Sequence, residues 1–313
     1  MQTVLPQDSP PKPQRRTFAE LLANRPAPKL EGLAERSRPE LRGDDVSEAF
    51  YDILKLRETG DQTAVPVLAE ILAMNASTTR THGYAAAQAL FCIGGDEALA
   101  TLDKHLSQMS DRNAERVTTY AFGWDMPEPK RSQFIERYLL NEIGEGLEIS
   151  LDAKPDDAGT IRLSLNIKNV STKPVDLLTP RIDRLYLRSA NGQFLRPRDT
   201  GLREDVLMPK WIVLAPGATQ TVTSSAVLKP ADELRKENPQ LPKEVKAVLR
   251  MKFVEYYIDE LGEYQAVFVL EQPPMTPEAR EKLKLENPWS GRAVSKPVAI
   301  RIPEHAAQPR SRR

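Results

Sequence analysis

Cysteine is nearly absent from this sequence: Cys92 stands alone among 313 residues. A single thiol excludes an intrachain disulfide and a cysteine-built zinc site. It lies in the apolar run Ala89-Leu90-Phe91-Cys92-Ile93, which reads as a buried structural cysteine, not a nucleophile. Histidine is scarce too, with only His82, His105 and His305. The first two fall on different expected helices and the third in the tail, so no paired-ligand spacing arises and no metal is expected.

An excess of one charge is also missing, since 44 Lys and Arg balance 44 Asp and Glu. A nucleic-acid binder needs a basic face, because neutralised phosphates supply most of its affinity, so no nucleic-acid partner is expected. Arg15-Arg16 and the trio Arg310, Arg312 and Arg313 are short enough to be solvated ends. Long hydrophobic runs are lacking: nothing approaches the roughly 18 apolar residues of a membrane span. Met1-Gln2-Thr3-Val4-Leu5-Pro6 has neither a charged leader nor an apolar core of a signal peptide. The expectation is a soluble chain, cytoplasmic as it stands, or exported or periplasmic if an upstream signal has been removed.

Catalytic motifs are missing as well. There is no metalloprotease helix motif, no phosphate-cradling glycine loop and no nucleophile elbow. Gly94-Gly95 follows an expected helix, whereas a dinucleotide loop follows a strand. The carboxylates at Asp156-Asp157 and at Glu255, Asp259 and Glu260 read as polar turns rather than calcium loops. With no nucleophile, base and orienting group to assemble, the chain is expected to be no enzyme and to need no cofactor.

Proline, at 26 residues, is the abundant exception. It recurs at Pro6, Pro10, Pro11, Pro13, Pro26, Pro28 and Pro39, and residues 1–44 read as disordered because such a segment buries too little apolar surface to offset its ordering entropy. Within it, Phe18, Leu21 and Leu22 follow Thr17 as a short amphipathic piece. From residue 45 the period is helical. Phe50, Ile53, Leu54 and Leu56 form one stripe, and Val65, Leu68, Ile71 and Leu72 a second, with Pro66 in its first turn. A third helix, rich in alanine, runs over 80–93 and stops at Gly94-Gly95; Asp96 caps a fourth. Further helices are expected near 113–123 and 129–142.

The stretches Val65–Leu72, Ala85–Leu90 and Ile93–Leu99 resemble a HEAT repeat of the short type found in bilin lyases. The resemblance covers about 45 residues and implies a stack of helix pairs with a shallow face for partners, near the roughly three repeats such a stack needs. It carries over no lyase activity.

At residue 144 the period changes to two. Ile161, Leu163, Leu165 and Ile167 alternate with polar residues, the mark of a half-buried antiparallel strand. Further strands are expected at 183–189, 193–196, 206–214, 219–228, 245–255, 264–270 and 292–302. Proline-rich inserts near 229–243 and 272–288 separate them, the second holding a helix after Thr276-Pro277. Asn166–Val175, Leu214-Ala215-Pro216-Gly217 and Trp289–Val298 are similar to passages of bacterial immunoglobulin-like domains, which implies an immunoglobulin-like β-sandwich over 144–303 without an inter-sheet cysteine pair. The expected architecture is thus multidomain, α then β: a disordered head, a HEAT-like block over 45–143, the sandwich, and a basic tail over 304–313.

The expected function is protein–protein interaction or scaffolding, a reading by fold analogy that leaves the partner and the oligomeric state open. The candidate binding residues are Arg80, His82 and Gln88, on the polar side of the third helix. An alternative is an exported envelope module that takes glycan or cell-wall material through Trp211, Tyr257 and Trp289. A second alternative is a protease-inhibitor-like module.

Overall fold

The computed structural model describes residues 25–41, 44–75, 81–109, 114, 117, 126, 128–155, 160–179, 185–195, 197–199, 210–251, 254–272 and 274–303. The chain divides into two compact units, Met1–Met109 and Ser110–Arg313. Helices make up the first, and antiparallel sheets dominate the second. Among the described residues no helix is long and apolar enough to cross a membrane.

The first unit contains α1 (Leu33–Arg36), α2 (Asp44–Thr59), α3 (Val65–Asn75), α4 (Thr81–Ile93) and α5 (Gly95–Gln108). The stripes expected from the sequence form its core: Ile53, Leu54 and Leu56 of α2 and Leu68, Ile71 and Leu72 of α3 are buried. Pro66 sits at the second residue of α3, where its missing N–H has no intrahelical acceptor to lose. α4 ends at Gly94, whose φ of 69° few other residues adopt. α5 starts one residue earlier than its expected cap, with Asp96 inside the first turn. Gln62 Nε2 donates to Gly94 O at 3.0 Å and so ties the turn before α3 to the turn after α4.

α4 is buried almost all round: eleven of its thirteen residues are shielded from solvent. Its alanines admit α2 and α3 closely. At Gly83 a Cβ would stand 2.8 Å from Asn75 Cβ, closer than side-chain carbons pack.

Disorder was the expectation for residues 1–44, and 25–41 depart from it. Leu33 and Ala34 are buried, Arg36 pairs with Asp52 at 3.0 Å, and Asn75 Nδ2 donates to Ser37 O at 3.3 Å. The guanidinium of Arg25 lies 4.2 Å from the centre of the Tyr51 ring. Two apolar side chains and these long-range contacts supply the burial that composition alone conceals. Thr17, Phe18, Leu21 and Leu22 lie outside the described residues.

The second unit holds twelve strands among the described residues: β1 (Leu147–Pro155), β2 (Thr160–Asn169), β3 (Val175–Leu178), β4 (Leu185–Ser189), β5 (Pro197–Asp199), β6 (Trp211–Leu214), β7 (Thr219–Pro230), β8 (Ala247–Arg250), β9 (Val254–Ile258), β10 (Gly262–Gln272), β11 (Gly291–Val294) and β12 (Val298–Ile302). They form a six-stranded sheet in the order β1-β2-β7-β8-β9-β5, a four-stranded sheet in which β10 pairs with β4, β11 and β12, and the two-stranded β3-β6. One apolar core joins all three, with Ile149 and Leu163 from the first, Leu187 and Phe268 from the second, and Leu177 and Leu214 from the third.

Several elements differ from the sequence reading. The single strand expected over 245–255 is the hairpin β8–β9, and 292–302 is split by Lys296-Pro297, where proline withholds a ladder N–H. Of the strand expected over 193–196, the described residues 193–195 contribute only a bridge between Phe194 and Arg188. The first proline-rich insert carries a helix, α7 (Ala231–Glu237). The helix after Thr276-Pro277 is present as α8 (Pro277–Leu283), with Thr276 Oγ1 accepting from Ala279 N at 3.3 Å.

The helical segment near 129–142 was grouped with the repeat block by period, but it belongs to the β unit. There α6 (Lys130–Phe134) continues into a π-helical turn, Ile135–Leu139. Arg292 explains the grouping. Its side chain is buried against Glu271, with Nε 3.1 Å from Oε1. Its Nη1 donates to Tyr138 O and, at 2.8 Å, to Asn141 Oδ1. Backbone bonds of 2.8 and 2.6 Å join Ile143 to Arg292. The two backbones meet so closely that a Cβ on Gly291 would stand 2.3 Å from Ile143 O.

Replacing Gly83 by alanine overpacks the α3–α4 contact and is expected to cost about 1–3 kcal/mol. Thermal denaturation followed by circular dichroism checks this; an unchanged Tm would mean that the two helices do not meet there.

Candidate functional site

His82 and Gln88 do not form an exposed polar face. Gln88 is fully buried, and its Oε1 accepts from Arg57 Nη1 at 3.0 Å. His82 is 2% exposed, edge-on to the Phe50 ring. Both side chains face the interior of a helix that is packed on nearly every side, so neither stands on the exposed polar face expected for it. Arg80 lies outside the described residues.

The three aromatic candidates separate. Trp289 is a core residue, 6% exposed, whose indole N–H donates to Glu145 O at 3.1 Å. Tyr257 is partly buried on α7's small core, with the Arg198 guanidinium 4.1 Å from its ring centre. Neither offers an open ring face for a sugar. Trp211 differs. It opens β6 half-buried, and its indole Nε1 is enclosed without a hydrogen-bond acceptor among the described residues.

The other end of β6, at Leu214, is held by Asn169, the last residue of β2. This side chain is fully buried and fully bonded. Its Nδ2 donates to Lys173 O and to Leu214 O, each at 2.8 Å. Its Oδ1 accepts from Ser171 N at 2.9 Å and from Ser171 Oγ at 2.7 Å. Gly217 N donates to Asn169 O at 2.8 Å. One amide therefore fastens the 170–174 loop to the end of β6.

β3 and β6 pair with Val175 opposite Leu214 and Leu178 opposite Trp211. Thr179 N donates to Lys210 O at 2.8 Å, which fixes the phase of the ladder. In an antiparallel pair the residues alternate between bonding inward and pointing outward. Leu177 and Ile212 bond each other; Asp176, Leu178, Trp211 and Val213 point outward. On the β3 side the outward groups are all taken. Asp176 N donates to Asn287 O at 2.8 Å, Trp289 N donates to Asp176 O at 2.9 Å, and Leu178 N donates to Gln272 Oε1 at 2.9 Å. On the β6 side the N–H and C=O groups of Trp211 and Val213 meet no partner among the described residues.

This open edge is also apolar. Val213 is 68% exposed, the highest value among the large exposed hydrophobic residues. Trp211 shares its face, while Ile212 and Leu214 turn to the core. An exposed edge with an apolar residue at its centre is a template for another strand. Sequence reasoning placed a strand over 206–214 and named Trp211, but it missed Val213 and the edge, because openness depends on which strands lie alongside.

A second concavity, of about 340 Å³, lies against β4, β10 and β12, with Arg188, Glu263, Tyr264 and Gln265 in its lining. Arg188 is held by Glu136 at 2.9 Å and by Gly192 O at 3.2 Å. Burial first, and then the nearby carboxylates Asp259 and Glu260, push the Tyr264 hydroxyl up to about 12. It stays neutral and donates to Glu260 O at 2.6 Å. Among the described residues no cluster of His, Cys, Asp and Glu is placed to hold a metal; Asp156 and Asp157 lie outside them.

No family model matches the chain, and no curated protein does. Among solved structures, it is similar to an alkylpurine DNA glycosylase of Pseudomonas fluorescens bound to DNA containing an abasic-site analogue, at 12% identity and a TM-score of 0.33, over 76% of this chain. The chain spans 58% of that protein's length. That solved protein is an enzyme, whereas this chain was expected to be none. At this TM-score the likeness passes on neither an activity nor a DNA-binding role.

Two outcomes follow. Asn169→Asp turns two donated bonds into oxygen facing oxygen and is expected to lower stability by about 2–4 kcal/mol in urea unfolding; a value near zero would mean that the amide does not hold the loops. Absorbance titration at 295 nm should show one tyrosine ionising near pH 12, lost in Tyr264→Phe.

Proposed function

We propose that this chain is a protein-binding scaffold that takes an extended segment of a partner polypeptide as an added strand beside β6. The carrying observation is the row of outward N–H and C=O groups on Trp211 and Val213, without partners among the described residues, on a strand whose central residue is exposed. Strand addition supplies affinity through main-chain hydrogen bonds and specificity through alternate side chains.

Within this reading the helical unit is HEAT-like and the β unit immunoglobulin-like. The glycine hand-over at Gly94 and the small residues of α4 support the first. The antiparallel sheets around one core and the Asn169-centred loops support the second. Both kinds of scaffold bind through faces, loops and edges. With Trp289 in the core and Tyr257 beneath Arg198, no observation favours a glycan platform.

Val213→Pro tests the proposal, since it removes an N–H that points to solvent, the placement in which edge strands accept proline. Peptides selected by display on the wild-type chain are expected to bind this variant at least tenfold more weakly. Hydrogen exchange should show the Trp211 and Val213 amides slowed at least tenfold when such a peptide is bound. A folded variant with unchanged affinity, or amides that exchange as before, would sink the reading.

A further inference from the structure

We infer that the strand taken by β6 is β6 of a second copy of this chain, paired antiparallel about a two-fold axis at Ile212; this rests on the strand-addition reading above. A closed two-fold contact needs a surface that complements itself, and this edge does. Trp211 and Val213 stand one residue to either side of Ile212, and each turns an N–H and a C=O to the open side. Rotation about Ile212 sets Trp211 opposite Val213 of the second copy, and Val213 opposite its Trp211. Both are then hydrogen-bonded pairs, so the two donors and two acceptors of each copy are all used. The facing side chains are aromatic against β-branched, a combination that stabilises antiparallel strands.

Neighbouring two-fold registers close less well. Centring on Val213 sets Trp211 opposite Ala215, whose carbonyl already accepts from Ala218 N at 3.0 Å. Centring on Trp211 sets Val213 opposite Pro209, which has no N–H to donate. Charge permits the pairing about Ile212. Lys210, exposed just before β6, falls opposite Leu214 of the second copy and not opposite itself. The two lysines stand at opposite ends of the ladder, roughly 13 Å apart along it, beyond the Debye length of about 8 Å at physiological salt. The balance of 44 basic and 44 acidic residues leaves no net charge to hold copies apart. The β3-β6 sheet has two strands, an arrangement with little stability of its own. The far side of β3 is taken by 287–289 and Gln272, so this sheet can grow at β6, and the pairing makes it four-stranded, β3-β6-β6-β3.

The test is sedimentation equilibrium of the full chain over roughly 10 µM to 1 mM, because so short a ladder belongs with small, transient interfaces. A monomer–dimer equilibrium is expected. Val213→Pro and, as a second variant at the same exposed position, Val213→Lys are each expected to weaken dimerisation at least tenfold. Hydrogen exchange at the Trp211 and Val213 amides should slow as the concentration rises. A dimer that both folded variants retain, with these amides exchanging as before, would overturn the inference, since the copies would then meet elsewhere. A chain still monomeric at the top of the range would overturn it too, and the display-selected peptides then separate the two readings. Peptides that protect the Trp211 and Val213 amides and lose affinity with Val213→Pro would leave strand addition standing without the second copy. Peptides indifferent to Val213→Pro would remove both.

Discussion

Much of the β unit near its candidate site depends on one buried amide having all its hydrogen-bonding capacity used. A fully buried asparagine with an unmet donor or acceptor would cost on the order of 1–3 kcal/mol per group. Asn169 avoids that by reaching two carbonyls and two donors that lie in different loops. The requirement works in both directions. The loops satisfy the amide, and the amide holds the loops at the distance at which β6 can lie beside β3 without joining the six-stranded sheet. The residue is fully buried, and it ties the end of β6 to the loop that leads into β3.

Arg292 plays a related part elsewhere in the same unit. A buried guanidinium beside a buried carboxylate is weak evidence of net stability, but removing one partner is costly, about 3–5 kcal/mol. Here the remaining donors are used on a helix-end carbonyl and on Asn141. The ion pair thereby specifies where the Lys130–Leu139 segment must lie. Helical period cannot reveal this, because a helix's stripe says that it is buried and not by what.

Local signals were the legible ones. Period-two alternation located β2 and β7 closely, the glycine pair located the end of α4, and Thr276-Pro277 located α8. The helical and β-rich halves followed from those periods. What stayed hidden depended on contacts distant in sequence. Gln88 looks like a surface residue on an alanine-rich helix, yet Arg57, 31 positions earlier, supplies its partner in the interior. β3 is only four residues long and is made a strand by β6 on one side and by 287–289 on the other. The candidate edge is of the same kind. It is defined by the neighbour that β6 lacks, and no residue spells that out.

The pairing of β3 with β6 is only four residues long, and that brevity has a consequence for misalignment. A shift of one position would turn Trp211 and Val213 toward the core and expose Ile212 and Leu214, since strand faces exchange with every single-residue slip. So short a ladder resists slippage poorly by itself. The carbonyl of Leu214 bound to Asn169 at one end, and that of Lys210 bound to Thr179 N at the other, act as two clamps on one short rod. They lock which face the open edge presents, so the orientation of that face is settled in the folding of the loops around it.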